Sequence, residues 1–377
     1  MKNSEDLLHG PILQSVSSIS PSRLDALAAC SLRMAFSADA RFRPHVFIGP
    51  RARLGTASHL LLENILKGQL DEVPYTEWDT TLSELWLEIL VQEESKVLES
   101  ELERHFGPAV RWPGYHMLRA RSIRLGREMI ERRCQRIRGI GERQTEVVYQ
   151  AFNGKLRGRA DVVLTHNGIT EIEDYKTGDL YDRAGDGEEQ VIKARYRRQL
   201  LLYSAMHHDV TGRWPRKAHL IPLTGDRVSI TIDPVEAETE AMAAISLLDQ
   251  YNAEIATMES SDILANPSPS VCRYCNYRLF CAPFWYAVCP DWGWTPAAAI
   301  EAEALRVQRH LVREGWIVEA VVTRGTVLSH SYKVFGDRDV AIAEGVRFRC
   351  VDLYQQESTA QFTLKITPYT QIQLIPS

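Results

Sequence analysis

The stretch ADVVLTHNGITEIEDYK, residues 160–176, restricts the fold of this chain more than any other. Two alternating, strand-like runs flank His166-Asn167-Gly168-Ile169. Asn-Gly is the strongest short hairpin signal, because a type I′ turn needs positive φ at both central residues. With Asn167 and Gly168 as the loop, His166 faces Ile169 and Asp161 falls opposite Asp174 on one face. Two carboxylates so placed, at about 5 Å, repel and destabilise the pair. A fold tolerates this when a cation sits between them. Strand alternation also puts Lys176 on the face of Asp174, with Glu173 and Tyr175 on the other. A solvated face of mixed charge is the competing reading, and a three-residue loop would break the register.

Two acids and a lysine gathered in one place suit a divalent metal held by oxygen ligands. The lysine can then orient, or help deprotonate, a metal-bound water. Other residues fall into line with this. Gly55, His59 and Glu63 recur at i, i+4 and i+8 along a helix expected over 54–68, so they share a face. A neutral imidazole at His59 can ligate a metal, although a lone helical histidine more often simply packs. Gln199 and Tyr203 are also i, i+4, on the helix YRRQLLLYSAMHHDV. A glutamine amide and a phenol there can hold a phosphate or a water.

Charge decides where a polyanion could bind. The chain has 377 residues and a net charge of −5, so no global basic field advertises nucleic acid. Binding must come from a local groove. Residues 119–139 hold eight arginines, Arg124 and Arg127 among them. Lys193, Arg195, Arg197 and Arg198 precede Gln199, and RFRP and GPRARLG lie before His59. Tyr196 and Tyr203 offer aromatic rings for stacking unpaired bases. The alternative is a solvated arginine helix paired with an acidic amphipathic helix expected over 76–105.

By length, two domains are expected. Residues 1–20 read as a loose leader. ISPSRLDALAACSLRMAF reads as one helix, with Ser20 as N-cap and Pro21 at the first helical position. Three strands follow the arginine helix. Two more strands, RKAHLIPLTG and DRVSITID, come before a long helix from residue 235. VCPDWGWTP reads as a linker. Residues 291–377 are expected to form a small, mostly β domain with one helix, PAAAIEAEALRVQRHLVREG, compatible with an OB-fold barrel. No apolar run reaches transmembrane length and no signal-peptide core is evident. The expectation is a cytoplasmic protein without a membrane partner.

Seven cysteines in so long a chain do not form a disulfide scaffold. VCRYCNYRLFC places Cys272, Cys275 and Cys281 at C-x2-C-x5-C, which suggests a metal site. A tetrahedral site wants a fourth ligand, and Cys30 and Cys289 are the candidates. Cys134 and Cys350 read as ordinary thiols.

GTASHLLLE, GRADVVL, EIEDYKTG and QLLLY, in this order, resemble the PD-(D/E)XK nuclease superfamily. They are most similar to its RecB-like branch, which includes AddB, Cas4 and the nuclease domain of Dna2. The resemblance covers roughly residues 20–290. It implies a restriction-endonuclease-like α/β core, a mixed sheet flanked by helices, with a helical insertion over about 76–140. It implies that His59, Asp161 and Asp174, with the Tyr175 carbonyl, bind Mg²⁺ or Mn²⁺. Lys176 would be the catalytic lysine, Gln199 and Tyr203 the supporting motif, and Glu63 and Glu146 further carboxylates near the metals. It implies that Cys30 joins Cys272, Cys275 and Cys281 around a [4Fe-4S] cluster, a structural staple; a zinc ion on the same ligands is the alternative. Ser31 departs from the proline usual after that first cysteine. The implied activity is metal-dependent cleavage of DNA, as an exonuclease on single-stranded or unwound ends. The alternative function is an inactive or partner-activated DNA-binding subunit of a helicase, repair or phage-defence complex.

Overall fold

The computed structural model describes residues 7, 9–136, 142–182, 191–224, 226–309, 315–328, 330–336, 342–355 and 363–375. The hairpin forms as the turn chemistry predicts. Strand β2 (Leu156–His166) pairs antiparallel with β3 (Ile169–Lys176), running from His166 opposite Ile169 to Val162 opposite Glu173. Asn167 and Gly168 have φ of 49° and 76°, the left-handed pair that a type I′ turn requires. Strand β1 (Glu142–Ala151) joins the far side of β2, and β4 (Lys217–Pro222) and β5 (Val228–Thr231) complete a five-stranded sheet in the order β1-β2-β3-β4-β5. Only β3 and β4 run parallel. A parallel pair needs a crossover connection, and the helix Ala194–Thr211, called α6 below, supplies it.

The chain folds as two interleaved units. The division does not fall at residue 290. One unit holds Val16–Asp25 and Ile48–Ala253; the other holds Met1–Ser15, Ala26–Phe47 and Glu254–Ser377.

In the first unit the five-stranded sheet packs with α3 (Pro50–Leu66), α4 (Trp78–Glu99) and α5 (Tyr115–Arg136). Leu54, Leu61, Trp86, Leu125, Val162 and Tyr175 share one apolar core. Pro50 starts α3, where its missing N–H costs nothing. The buried Arg53 of α3 reaches Glu93 of α4 at 3.2 Å and Glu103 at 2.6 Å, so a buried charge is doubly paired. Residues 16–20 are not a loose leader. Val16 exchanges two 2.9 Å hydrogen bonds with the Asn252 side chain, and Ile19 bridges to Leu156 with its side chain buried. Paired backbone and the buried Ile19 side chain hold this segment in place.

The helix expected from Pro21 is broken. It forms α1 (Pro21–Ala29) and α2 (Ser31–Ala38), with Cys30 extended between them at φ −163° and ψ 107°. In the second unit, residues 297–309 are strand β6 (Ala297–Arg309), not the helix that their Ala, Glu and Arg content suggests. Ala298, Ile300, Ala302 and Ala304 alternate into a core with Val318, Val334 and Phe348, and that packing overrides helix propensity. Strands β7 (Trp316–Gly325), β8 (Ser331–Gly336), β9 (Arg347–Gln355) and β10 (Thr363–Lys365) follow. β6 pairs with β7 and β9, β7 with β8, and β10 with both β8 and β9, so five strands close a ring. Strand β11 (Gln371–Ile375) adds to β9. Among the described residues this C-terminal region is β rather than α+β. Nor is VCPDWGWTP a free linker: Trp292 and Trp294 pack on Phe284, and Trp294 is buried.

Candidate active site

The β3 strand delivers a connected set of side chains. The Tyr175 amide donates to Asp161 Oδ2 at 2.7 Å, which fixes the first carboxylate against the backbone carrying the second. Lys176 Nζ lies 2.5 Å from Asp174 Oδ2 and donates to Gln199 Oε1 at 2.7 Å. Gln199 Nε2 donates to the Tyr203 hydroxyl at 3.1 Å. The D-x-K pair and the Q-x-x-x-Y pair of α6 thus form one connected chain. Asp174 is 2% exposed. Burial pushes both Asp161 and Asp174 above the ordinary carboxylate range, against the Tyr175 amide at Asp161 and against Lys176 at both. Asp161 also raises Asp174 directly.

Helix α3 lies over these strands. At Gly55 a side chain would come 3.1 Å from Thr177 Oγ1, so glycine permits the helix to approach the end of the DYKTG run. One turn on, burial lowers the pKa of His59; Asp174 opposes this, and Lys176 and Arg159 add to it. A neutral ring, the form that ligates metals, follows at neutral pH. A further turn on, Glu63 lies within electrostatic reach of Glu146. Glu146 belongs to β1 between Thr145, opposite Val162, and Val147, opposite Ala160, which puts it beside Asp161. Its φ is 54°, a left-handed conformation that is rare for glutamate and costs of order 1–2 kcal/mol. Such strain gathers at functional sites. Burial raises the Glu146 pKa, and Arg159, with Nε 2.6 Å from Oε2, opposes it.

Arg159 is a site residue absent from the sequence-based candidates. It stands two positions before Asp161, hence on the same face of β2, and that spacing is the signal that points to it. Tyr196 lies beside the same set, since Lys176 Nζ is 5.0 Å from its ring centre. Tyr203, by contrast, is buried and hydrogen-bonded to Gln199, so it has no face for stacking a base.

The basic candidates are mostly paired. Arg124 contacts Glu128 and the Leu223 carbonyl, and Arg127 contacts Asp79 of α4 and the Tyr75 hydroxyl. Arg197 pairs with Glu236, and Arg198 with Asp25 and Glu240. Lys193 donates to the Asp179 carbonyl, and Arg195 stacks on Tyr196. The last arginines of the run and the Cys134 side chain lie outside the described residues.

The four cysteines all belong to the second unit. Cys272 is buried, with the half-buried Cys275 and Cys30 near it, and Cys281 lies within electrostatic reach of all three. Burial pushes the Cys272 thiol up to about 11, and Cys275 and Cys30 add to the rise. Cys30 Sγ approaches the Leu264 carbonyl at 4.0 Å, and Asn266 Nδ2 donates to the Ala29 carbonyl at 3.0 Å, so the break between α1 and α2 is held against the segment leading to Cys272. Cys350 is buried in the barrel.

Among the described residues no group of three or more His, Cys, Asp and Glu side chains is drawn together tightly enough to hold a metal ion. The donor chemistry still fits. Asp174 Oδ2 is buried without a hydrogen bond of proper geometry, and among the described residues one ammonium faces a buried and a half-buried carboxylate. That set is short of positive charge and offers hard oxygen donors, as Mg²⁺ and Mn²⁺ require. The four cysteines offer thiolate donors, which suit zinc or an iron–sulfur cluster.

A model of the PD-(D/E)XK nuclease superfamily matches residues 18–282, more than half of the chain. The chain belongs to this superfamily, whose members are generally metal-dependent nucleases. No curated protein matches. Among solved structures, the tetrameric p202 HIN2 crystal structure matches with 13% identity and a TM-score of 0.17 over 21% of this chain, which spans 41% of that one. A murine DNA-binding protein bound to double-stranded DNA matches with 6% identity and a TM-score of 0.18, over 63% of this chain and 95% of that one.

Proposed function

We propose that the chain is a Mg²⁺- or Mn²⁺-dependent deoxyribonuclease that acts as an exonuclease on single-stranded or unwound DNA. The observation that carries this reading is the hydrogen-bonded set from Asp161 through Lys176 to Tyr203 beneath the His59 helix. Asp161, Asp174 and His59, with the Tyr175 carbonyl, would hold the cation, and Glu63 and Glu146 stand next to them. When bound, the cation polarises the phosphate and acidifies the attacking water. Lys176 presents its ammonium to the charge that builds on the phosphate. Gln199 fixes the lysine rotamer, and Tyr203 fixes the glutamine. Products ending in 5′-phosphates accord with the RecB-like resemblance.

The cysteine cluster supports a [4Fe-4S] staple of the RecB-like kind, with zinc as the competitor. The C-terminal ring supports an OB-like barrel: its order β6-β7-β8-β10-β9 and its parallel β8–β10 pair match that Greek key. Arg124, Arg127, Lys193, Arg195, Arg197 and Arg198 would line the strand's approach, exchanging surface acids for phosphates.

The test is to incubate end-labelled linear single strands, blunt duplex and circular single strands with the chain and Mn²⁺. An exonuclease should shorten the linear strands and leave the circles intact. Cut circles would make the chain an endonuclease. A chain that binds every substrate and cuts none would be the partner-dependent binding subunit.

A further inference from the structure

Two ion pairs stand side by side at the rim of this site, and both point the same way. Glu63 of α3 is paired at 2.5 Å with Lys67, which caps the end of that helix, and Glu146 with Arg159 at 2.6 Å across β1 and β2. In each pair the acid is turned inward and the cation outward. The carboxylates are 16% exposed, whereas Lys67 is 50% and Arg159 61% exposed. Glu146 joins them, because Glu63, Lys67 and Arg159 all act on its carboxyl. Arg159 also reaches inward, since its charge is felt at His59 and Asp161. Most other basic candidates hold surface acids or carbonyls, and Arg195 lies over the Tyr196 ring. Arg159 instead acts on Asp161 itself, and Lys67 on Glu63 and Glu146 beside it.

We propose that Lys67 and Arg159 form a phosphate subsite, which takes the backbone phosphate next to the one being cleaved. The proposal rests on the nuclease reading and adds the residues that seat the strand. A strand has one negative charge per phosphate, and neighbouring phosphates are a few ångströms apart, so a strand entering the carboxylate site must carry a second charge past its rim. Without a compensating cation, that second phosphate would face Glu63 and Glu146. The guanidinium of Arg159 keeps N–H groups beyond the one facing Glu146, and its planar fork matches phosphate oxygens. Lys67 adds a point charge from the helix side. Arg159 is therefore a positioning residue that fixes the strand relative to Asp161 and Asp174. The strained backbone at Glu146 is consistent with this, because it sets the carboxylate that holds the arginine in place between turnovers.

The test measures binding of a labelled single strand at several salt concentrations, without added divalent cation, so that nothing is cut. Each phosphate that is no longer neutralised should reduce the slope of log affinity against log salt by about 0.7 for a single strand. Arg159→Ala and Lys67→Ala should each show that drop, equally for all sequences, and Arg159→Lys should restore most of it. Glu146→Gln, which frees the arginine, should bind at least as tightly as wild type. If the ion pair merely supported the fold, Glu146→Gln and Arg159→Ala would weaken binding alike, and that result overturns the proposal. Unchanged slopes in both alanine variants, with melting temperatures like wild type, overturn it too. A wild-type chain that cuts nothing sinks the nuclease reading, while the predicted slope changes would still uphold the subsite.

Discussion

At the scale of single residues, the site is governed by charge that the protein does not balance on its own. Asp174 is buried and Asp161 half-buried, and one ammonium acts on both. Their folded-state pKa values lie above the unfolded ones. The folded chain therefore binds more protons than the unfolded chain between the two, and the stability these groups contribute is present below the unfolded pKa and lost as pH rises through the raised folded values. On the proposed function, a divalent cation would bind the deprotonated pair and offset that loss. Mn²⁺ should raise the melting temperature clearly at about pH 7.5 and hardly at all at about pH 5, which a thermal melt at the two pH values checks. Equal shifts at both would mean that the metal binds elsewhere. Glu146 carries the complementary case. Glu146→Gly removes the left-handed strain and should hold or raise stability by about 1 kcal/mol, while cleavage falls because the Arg159 anchor is gone. A variant both stable and fully active would show that the strain has no bearing on function.

At the scale of elements, α3 and the β2–β3 hairpin set the site's dimensions. Gly55 lets the helix approach Thr177, and the register of the hairpin sets the two aspartates. Replacing Gly55 by alanine adds helix propensity of about 1 kcal/mol, yet pushes the His59 face away from β3. The expected outcome is a melting temperature at or above wild type with cleavage reduced roughly tenfold or more, since small misplacements cost rate heavily. The hairpin is legible in the sequence because its information is local: Asn167-Gly168 sets the turn, and a period of two does the rest. The D-x-K and Q-x-x-x-Y spacings are legible for the same reason. What is not legible depends on partners distant in sequence. Residues 297–309 carry helix-forming side chains, and only β7 and β9 make them a strand. Cys30 interrupts a helix because the segment around Leu264 meets it there. Arg159 looks like one arginine among many until β1 brings Glu146 beside it. Tyr203 has the ring of a stacking residue, and only its burial against the sheet side of α6 shows that it serves Gln199 instead.

At the scale of the whole molecule, the cysteines and the carboxylates fall in different units of the chain. A metal on Cys30 and Cys272 would close a loop of about 240 residues and so constrain the unfolded chain strongly; on the entropic model a loop of even about 100 residues is worth about 4.7 kcal/mol when closed by a cross-link. The same unit contains the barrel, and Arg278, between Cys275 and Cys281, pairs with Asp352 of β9. Removing the metal by chelation, or with Cys272→Ser, should therefore lower the transition of this unit in a calorimetric scan. The unit that contains Asp161 and Asp174 should melt with less change. One shifted transition for the whole chain would mean that the two units do not unfold separately. Iron content near four per chain would favour the cluster, and one zinc the competing centre.

On the proposed function, Asp161, Asp174 and Lys176 act together in cutting DNA. The most direct measurement compares wild type with Lys176→Ala for Mn²⁺-dependent shortening of an end-labelled single strand, with binding affinity recorded for both. The account predicts cleavage reduced by about a hundredfold or more in the variant, with affinity within a few-fold of wild type. Equal cleavage by the two proteins, or an absence of Mn²⁺-dependent cleavage in wild type, would contradict it.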